Sequence, residues 1–344
     1  MKKMLMITHH NINEGGGDVA RVKKIASLLA GSFDVEMFGF GYSSKRLFLL
    51  PIWLGGIVRA ICKKDWDFVY IYNQRYLVIL VGILGRCLGR RHKLIYDAVL
   101  TWQLLPYSSF YRAFRGKVEK LAGWFADGVV GVSKMSGDFF GGKTLLVVPT
   151  LVDTDAFRRD ANKRKAIRAK YDIKRTDRVI GLVGSFDNEY NRPQLEFLRK
   201  NLGIFDRRLK FMVIGRVDEG REIINQNVIS TGFVDDYAGH LSALDALMVV
   251  RTIPTDGAIN RMVEAMSVGL PVFANDVAGE TMDWGVGGID YYVSDGWALP
   301  IKVNRLVFDG GLMKRVGVCA KRIVREYYSE ARYKSRLAEA LARC

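Results

Sequence analysis

The sequence predicts an α/β protein built of two doubly wound halves, each a parallel sheet with helices on both faces. Short β-rich apolar runs alternate with segments of helical length, which is the pattern of buried parallel strands joined by crossover helices. The chain opens on a strand, a glycine turn and a helix, and the same rhythm restarts after one strongly charged stretch. At 344 residues it exceeds the usual size of one hydrophobic core, so two cores are expected.

Lys3-Met4-Leu5-Met6-Ile7-Thr8 reads as the first strand, Asn13-Glu14-Gly15-Gly16-Gly17 as the turn, and 19–29 as an amphipathic helix. That order opens a Rossmann-like unit. Further strands are expected at 35–40, 68–72, 94–96, 128–132 and 145–148. The charged stretch 158–178 begins as a linker and carries a helix over 162–171. Strands at 179–184, 209–215, 228–231, 246–250 and 271–274 build the second half. The pattern over 329–341, with Ser329 as N-cap, predicts a last helix that crosses back to the first half. The expected division is therefore 1–155, 156–320 and a final segment 321–344. Ligands are expected at the carboxyl ends of the strands and in the interdomain cleft.

The formal net charge is +16, and residues 1–150 carry 21 Lys or Arg against 10 Asp or Glu. A basic first half implies a partner bearing phosphates. The four cysteines, Cys62, Cys87, Cys319 and Cys344, form no CxxC pair, and the four histidines show no metal-ligand spacing. No disulfide framework, metal or cofactor is expected. No uncharged apolar run of about 18 residues and no secretory leader is visible, so the chain is expected in the cytoplasm.

The strongest motif runs Thr255-Asp256-Gly257-Ala258-Ile259-Asn260-Arg261-Met262-Val263-Glu264-Ala265-Met266-Ser267-Val268-Gly269-Leu270-Pro271-Val272. Gly257 permits a turn that brings backbone close to a ligand, and a helix starting near Ala258 aims unpaired N–H groups at an anion. Asn260, Arg261 and Glu264 share one helical face. The motif resembles the donor signature of the GT-B, family-4-like retaining glycosyltransferases (glycosyl transferases group 1), in which two acidic residues flank seven others. Val148 to Phe157, Val179 to Ser185, Phe211 to Gly215, Asn227-Val228 with Thr231-Gly232-Phe233-Val234, and Leu241 to Val249 are similar to further landmarks of that family, in its order.

The resemblance implies a GT-B fold, with an acceptor-binding first domain and a nucleotide-sugar-binding second domain. Asp256 would orient the donor sugar, Glu264 would accept from the ribose diol, and Gly257, Ala258, Ile259, Asn260 and Arg261 would hold the diphosphate. Gly184, Ser185, Gly215 and Phe233 fall at its other donor-binding positions. Two departures stand out: Asp256 replaces the usual Glu, and Ser185 stands where relatives place a diphosphate-binding Arg, with the following Lys also missing. Arg192, Arg216, Arg251 and Arg261 are the candidate replacements, Arg261 being favoured. Gly15, Gly16 and Gly17, followed by Arg21, are similar to the family's first glycine loop, which shapes acceptor binding. His9, His10 and Asp97 are acceptor-side candidates, with a strand-end cap as the competing account of Asp97.

Two segments, 46–64 and 76–88, combine large apolar residues with terminal bases and suit either a headgroup boundary or a buried helix. Tyr107, Tyr111, Arg112, Arg115, Lys117 and Lys120 suit either the phosphates of a lipid-linked acceptor or a solvated helix face. Asp153-Thr154-Asp155 mimics a metal motif and reads as a turn in the interdomain segment. The function expected is transfer of a hexose from a nucleoside-diphosphate sugar to a glycan or lipid-linked acceptor, with retention, by a peripheral protein at the inner membrane face. A nucleotide sugar and an anionic membrane surface are the expected partners, and nucleic acid is not. The rival readings are a sugar-nucleotide epimerase on the same scaffold and a non-catalytic basic binder of membrane or nucleic acid.

Overall fold

The apolar runs form two separate parallel sheets, one in each of two units. The computed structural model describes residues 1–9, 17–39, 50–62, 65–87, 89 and 92–344. One unit comprises Met1–Leu151 with Glu330–Cys344, and the other Val152–Ser329.

The first unit runs β1 (Lys2–Thr8), α1 (Gly17–Leu29), β2 (Phe33–Gly39), α2 (Leu50–Cys62), β3 (Phe68–Tyr72), α3 (Arg75–Cys87), β4 (Lys93–Ala98), α4 (Ser109–Phe125), β5 (Gly128–Gly131), α5 (Lys134–Phe140) and β6 (Thr144–Val147). Its strands lie in the order β2-β1-β3-β4-β5-β6, all parallel. Strands β1, β3 and β4 are buried along nearly their whole length, because helices cover both faces and leave no solvated side. Met4, Met6 and Tyr70 pack on one face, and Leu5, Ile7, Val69 and Ile71 on the other, the period-2 alternation of a strand.

The second unit runs α6 (Ala161–Lys170), β7 (Arg178–Val183), α7 (Arg192–Asn201), β8 (Leu209–Ile214), β9 (Val228–Gly232), α8 (Tyr237–Ala243), β10 (Ala246–Val249), α9 (Asn260–Val268), β11 (Val272–Asn275), α10 (Asp276–Gly279), β12 (Tyr292–Ser294), α11 (Leu299–Leu306) and α12 (Gly310–Ile323). Its strand order is β12-β11-β10-β7-β8-β9. The order reverses between β7 and β10, and an open α/β sheet presents its ligand crevice outside the carboxyl ends of the strands at such a reversal. In the first sheet the reversal lies between β1 and β3.

The charged stretch before β7 does more than link. On α6, Arg164 pairs with Asp245 at 2.7 Å and Arg168 at 3.3 Å, and the Asp245 carboxylate also accepts from Val179 N at 2.8 Å. One acid at the foot of β10 thus fixes both a helix and the first strand of this sheet. Asp153 Oδ1 accepts from the backbone N–H groups of Asp155 and Ala156, so the Asp-Thr-Asp triplet is a turn.

The final helix α13 (Glu330–Arg343) belongs to the first unit. Tyr333, Leu337 and Leu341, four apart and so on one face, are buried in the same core as Val22, Ile25 and Leu29 of α1. The Ser329 hydroxyl donates to the Arg325 carbonyl at 2.8 Å.

Candidate functional site

The candidate site gathers at the carboxyl ends of β7, β8 and β10 in the second unit. The turns after β7 and β8 touch. Gly184 N donates to Ile214 O at 3.0 Å, Phe186 N donates to Arg216 O at 2.8 Å, and Gly215 has φ +123°. A Cβ on Gly215 would lie 2.0 Å from the Gly184 carbonyl oxygen. Glycine is required there by both conformation and space.

Asn191, 6% exposed, locks the β7 turn to α9. Its amide Nδ2 donates to Ser185 O at 3.0 Å, and its Oδ1 accepts from Arg261 Nη1 at 3.1 Å. Arg261 therefore has a neutral partner from a different loop. Arg192 donates through Nη2 to Asp187 O at 2.8 Å, and Arg216 pairs with the Asp187 carboxylate while its own side chain stays 71% exposed. Phe233, one residue past β9, is 84% exposed.

Arg251, two residues past β10, differs from the other cations. It is 9% exposed, its Nη1 is buried without a hydrogen-bond partner, and its guanidinium lies 5.7 Å from the centre of the Tyr190 ring. Burial, and then repulsion from Arg261, brings its pKa down to about 10. Its backbone is held independently: Arg251 N donates to Asn275 Oδ1 at 2.9 Å, and Asn275 Nδ2 donates to Arg251 O at 2.7 Å.

The motif loop enters α9 through Asp256 (7% exposed), Gly257 (φ +84°), Ala258 and Ile259, all buried. The helix begins at Asn260, two residues later than Ala258, because Ile259 keeps an extended conformation (φ −70°, ψ 122°) as N-cap. An isoleucine cap has no side-chain acceptor, so the cap residue itself satisfies none of the first-turn N–H groups through its side chain. Gly269 in the left-handed region ends the helix. Glu264 is half-buried on the second turn. The Tyr237 hydroxyl of α8 is pushed well above the ordinary tyrosine range by burial and then by the negative charge of Glu264, with Arg261 acting the other way. Tyr237, Arg261 and Glu264 thus form one electrostatic group. Asn191 and Tyr237 were not singled out from sequence; Asn191 was legible only as the residue before Arg192-Pro193, and Tyr237 carries no local signal.

In the first unit the expectations meet a different outcome. Gly17 begins α1, His9 is half-buried at the end of β1, and His10, Gly15 and Gly16 lie outside the described residues. Asp97, expected on the acceptor side, is instead fully buried. Its Oδ1 accepts from Arg21 Nη2 at 2.9 Å, and its Oδ2 accepts from Tyr70 Oη at 2.8 Å. Arg21 Nη1 also donates to Val148 O at 2.7 Å. Burial alone would lower the Arg21 pKa, but Asp97 holds it above the ordinary value. Asp97 therefore anchors α1 to the sheet and is not a ligand contact. Asn73, just past β3, adopts φ +48° with Oδ1 buried and without a hydrogen-bond partner at the reversal of this sheet, a position sequence reading passed over.

Residues 177–309 match the model of the family described as glycosyl transferases group 1. The structure is similar to HepE of Anabaena in complex with UDP (TM-score 0.78, 17% identity, 100% of both chains covered). It is similar to sucrose-phosphate synthase from Thermosynechococcus elongatus (TM-score 0.77, 16% identity, 100% of this chain and 99% of that one). It also resembles WaaG, a glycosyltransferase involved in lipopolysaccharide biosynthesis (TM-score 0.66, 14% identity, 96% and 98% covered). No curated protein sequence matches the chain. At these identities the structural likeness establishes a shared two-unit fold.

Proposed function

Because residues 177–309 match the model of the glycosyl transferases group 1, we propose that the second unit binds a nucleoside-diphosphate hexose and transfers the sugar, with retained configuration, to a hydroxyl of a glycan or lipid-linked acceptor. The observation that carries this reading is the loop from Asp256 to Arg261, which delivers an uncapped helix start beside the β7–β10 reversal, with half-buried Glu264 one turn further on. Helix-start N–H groups and nearby guanidinium groups suit a diphosphate. Glu264 would accept from the ribose diol and Asp256 would orient the sugar. In the step, the bond between the anomeric carbon and the phosphate oxygen breaks and a bond to the acceptor oxygen forms. The acceptor proton passes to the leaving diphosphate, whose charge the helix start and arginines stabilise without a metal. Gly184, Ser185 and Gly215 would let the donor approach backbone, and Phe233 offers an exposed ring near it.

HepE binds UDP and UDP-glucose in its solved complexes, so UDP-glucose is the first donor to test. A thermal-shift series with UDP, GDP, ADP and their glucose conjugates should raise Tm for one base by mass action. No shift with any of them would contradict the reading. Neither rival is favoured by the comparisons.

The membrane part of the proposal rests on α4. Phe110, Phe114, Lys117, Leu121 and Trp124 follow one another at three- or four-residue steps, and the four apolar members are 82, 53, 43 and 57% exposed. Arg86 of α3 lies 3.9 Å over the Trp124 ring. Aromatic side chains interleaved with bases suit the headgroup boundary of an anionic bilayer, and no described helix is long and apolar enough to cross one. The segments 46–49 and 63–64 lie outside the described residues. On α3 the apolar pattern is mainly core, with Leu77, Val78 and Val81 buried. Cosedimentation with phosphatidylserine vesicles should fall about tenfold in Phe110→Ser/Trp124→Ser while donor affinity holds; no binding by the wild type would remove the membrane part alone.

A further inference from the structure

We infer that Arg251 and Arg261 form a two-guanidinium clamp for the diphosphate of the donor. The inference deepens the proposed donor site and rests on it. It reverses the ranking read from sequence, where Arg261 stood first and Arg251 was one of several candidates.

Four cations border the β7–β10 reversal, and their partners separate them. Arg216 is neutralised by Asp187 and points largely into solvent, and Arg192 donates to the Asp187 carbonyl. Arg192, Arg251 and Arg261 form no salt bridge among the described residues; Arg192 keeps a buried Nε without a hydrogen-bond partner, and Arg261 shares its electrostatic surroundings with Glu264. Arg261 is held by the neutral Asn191, which aims it without cancelling its charge. Arg251 is more than nine-tenths buried, with Nη1 unpartnered, against the face of Tyr190.

Two neighbouring guanidinium groups, one of them buried, oppose each other and the fold. A buried charge left uncompensated is a cost that a purely structural position would not retain. The Arg251 backbone does not need its side chain, because Asn275 closes both of its hydrogen bonds. An anion of two or more charges at the start of α9 would offset both guanidinium charges, and a diphosphate suits two planar donors better than a single phosphate. The two arginines come from elements on either side of the motif loop, one after β10 and one on the first turn of α9. A bound diphosphate would therefore tie that loop at both ends.

The test compares nucleoside diphosphate with monophosphate binding by calorimetry in wild type and Arg251→Met, using UDP, GDP and ADP with their monophosphates. The expected result is a preference for the diphosphate that falls at least tenfold in Arg251→Met, with monophosphate affinity unchanged. Arg251→Lys should recover part of it. Ligand-free Arg251→Met should unfold at the same or a higher temperature than wild type, since an opposed buried charge has been removed; a structural arginine would give the reverse. An unchanged diphosphate preference in a folded Arg251→Met, or a clear loss of ligand-free stability in both variants, would overturn the clamp while leaving the donor site standing. Failure of the wild type to bind any of the nucleotides would overturn the donor-site reading itself, and the clamp with it.

Discussion

Replacing Glu264 by alanine is expected to lower kcat/KM for sugar transfer by roughly 10- to 100-fold, the range that follows from losing a charge-assisted hydrogen bond of about 1.5–3 kcal/mol. Glu264 is half-buried on the face of α9 that it shares with Arg261, beside the buried hydroxyl of Tyr237. If Glu264 holds the ribose, the loss appears in donor KM and in nucleotide affinity, and acceptor KM is untouched. Glu264→Gln keeps one acceptor oxygen and should fall between the two. Steady-state kinetics with the donor varied at fixed acceptor separates these cases; wild-type donor KM in the alanine variant would contradict the role.

The second large effect concerns stability. Asp97→Ala should destabilise the first unit by about 3–5 kcal/mol, because it strands the Arg21 guanidinium in the interior and removes the acceptor of Tyr70. The pair joins α1 to β4, and through Val148 O to the end of the sheet. Arg21→Met/Asp97→Leu, which removes both charges, should recover much of the loss, the signature of a coupled buried pair. Urea unfolding of the two single variants and the double variant measures the coupling. Equal destabilisation in all three would mean that packing, not charge, holds this junction.

The two fates of acidic residues show what sequence can and cannot reveal. Asp256 and Glu264 sit in a motif whose elements are local: the glycine turn, the helix register and the arginine lie within nine residues, so the resemblance to a donor signature could be read from one short segment. Asp97 ends a strand in the same manner as a ligand-facing acid, but its partner Arg21 lies on α1, 76 residues earlier. No pattern around Asp97 reports it. The charged stretch before β7 misleads in the same way, since Arg164 and Arg168 reach Asp245 across about 80 residues.

The strand rhythm was legible because buried parallel strands are continuous apolar runs, and those runs appear as β1, β3, β4, β7, β8 and β10 with ends shifted by a residue or two. Which face of α4 is outermost was not legible. Apolar residues occur on both of its sides, and Glu119, a charged residue, is turned fully inward, against Arg75 and the Tyr96 hydroxyl. The start of α9 was misplaced by two residues because Ile259 takes an extended conformation that its side chain does not require.

Amide hydrogen exchange with and without the nucleotide sugar that gives the largest thermal shift tests the account most directly, because it reports where the donor sits without presuming its chemistry. Slowed exchange concentrated in peptides covering 184–192 and 250–264 is the predicted result. Protection confined to the first unit, or spread over the second unit with those two segments unchanged, would contradict it.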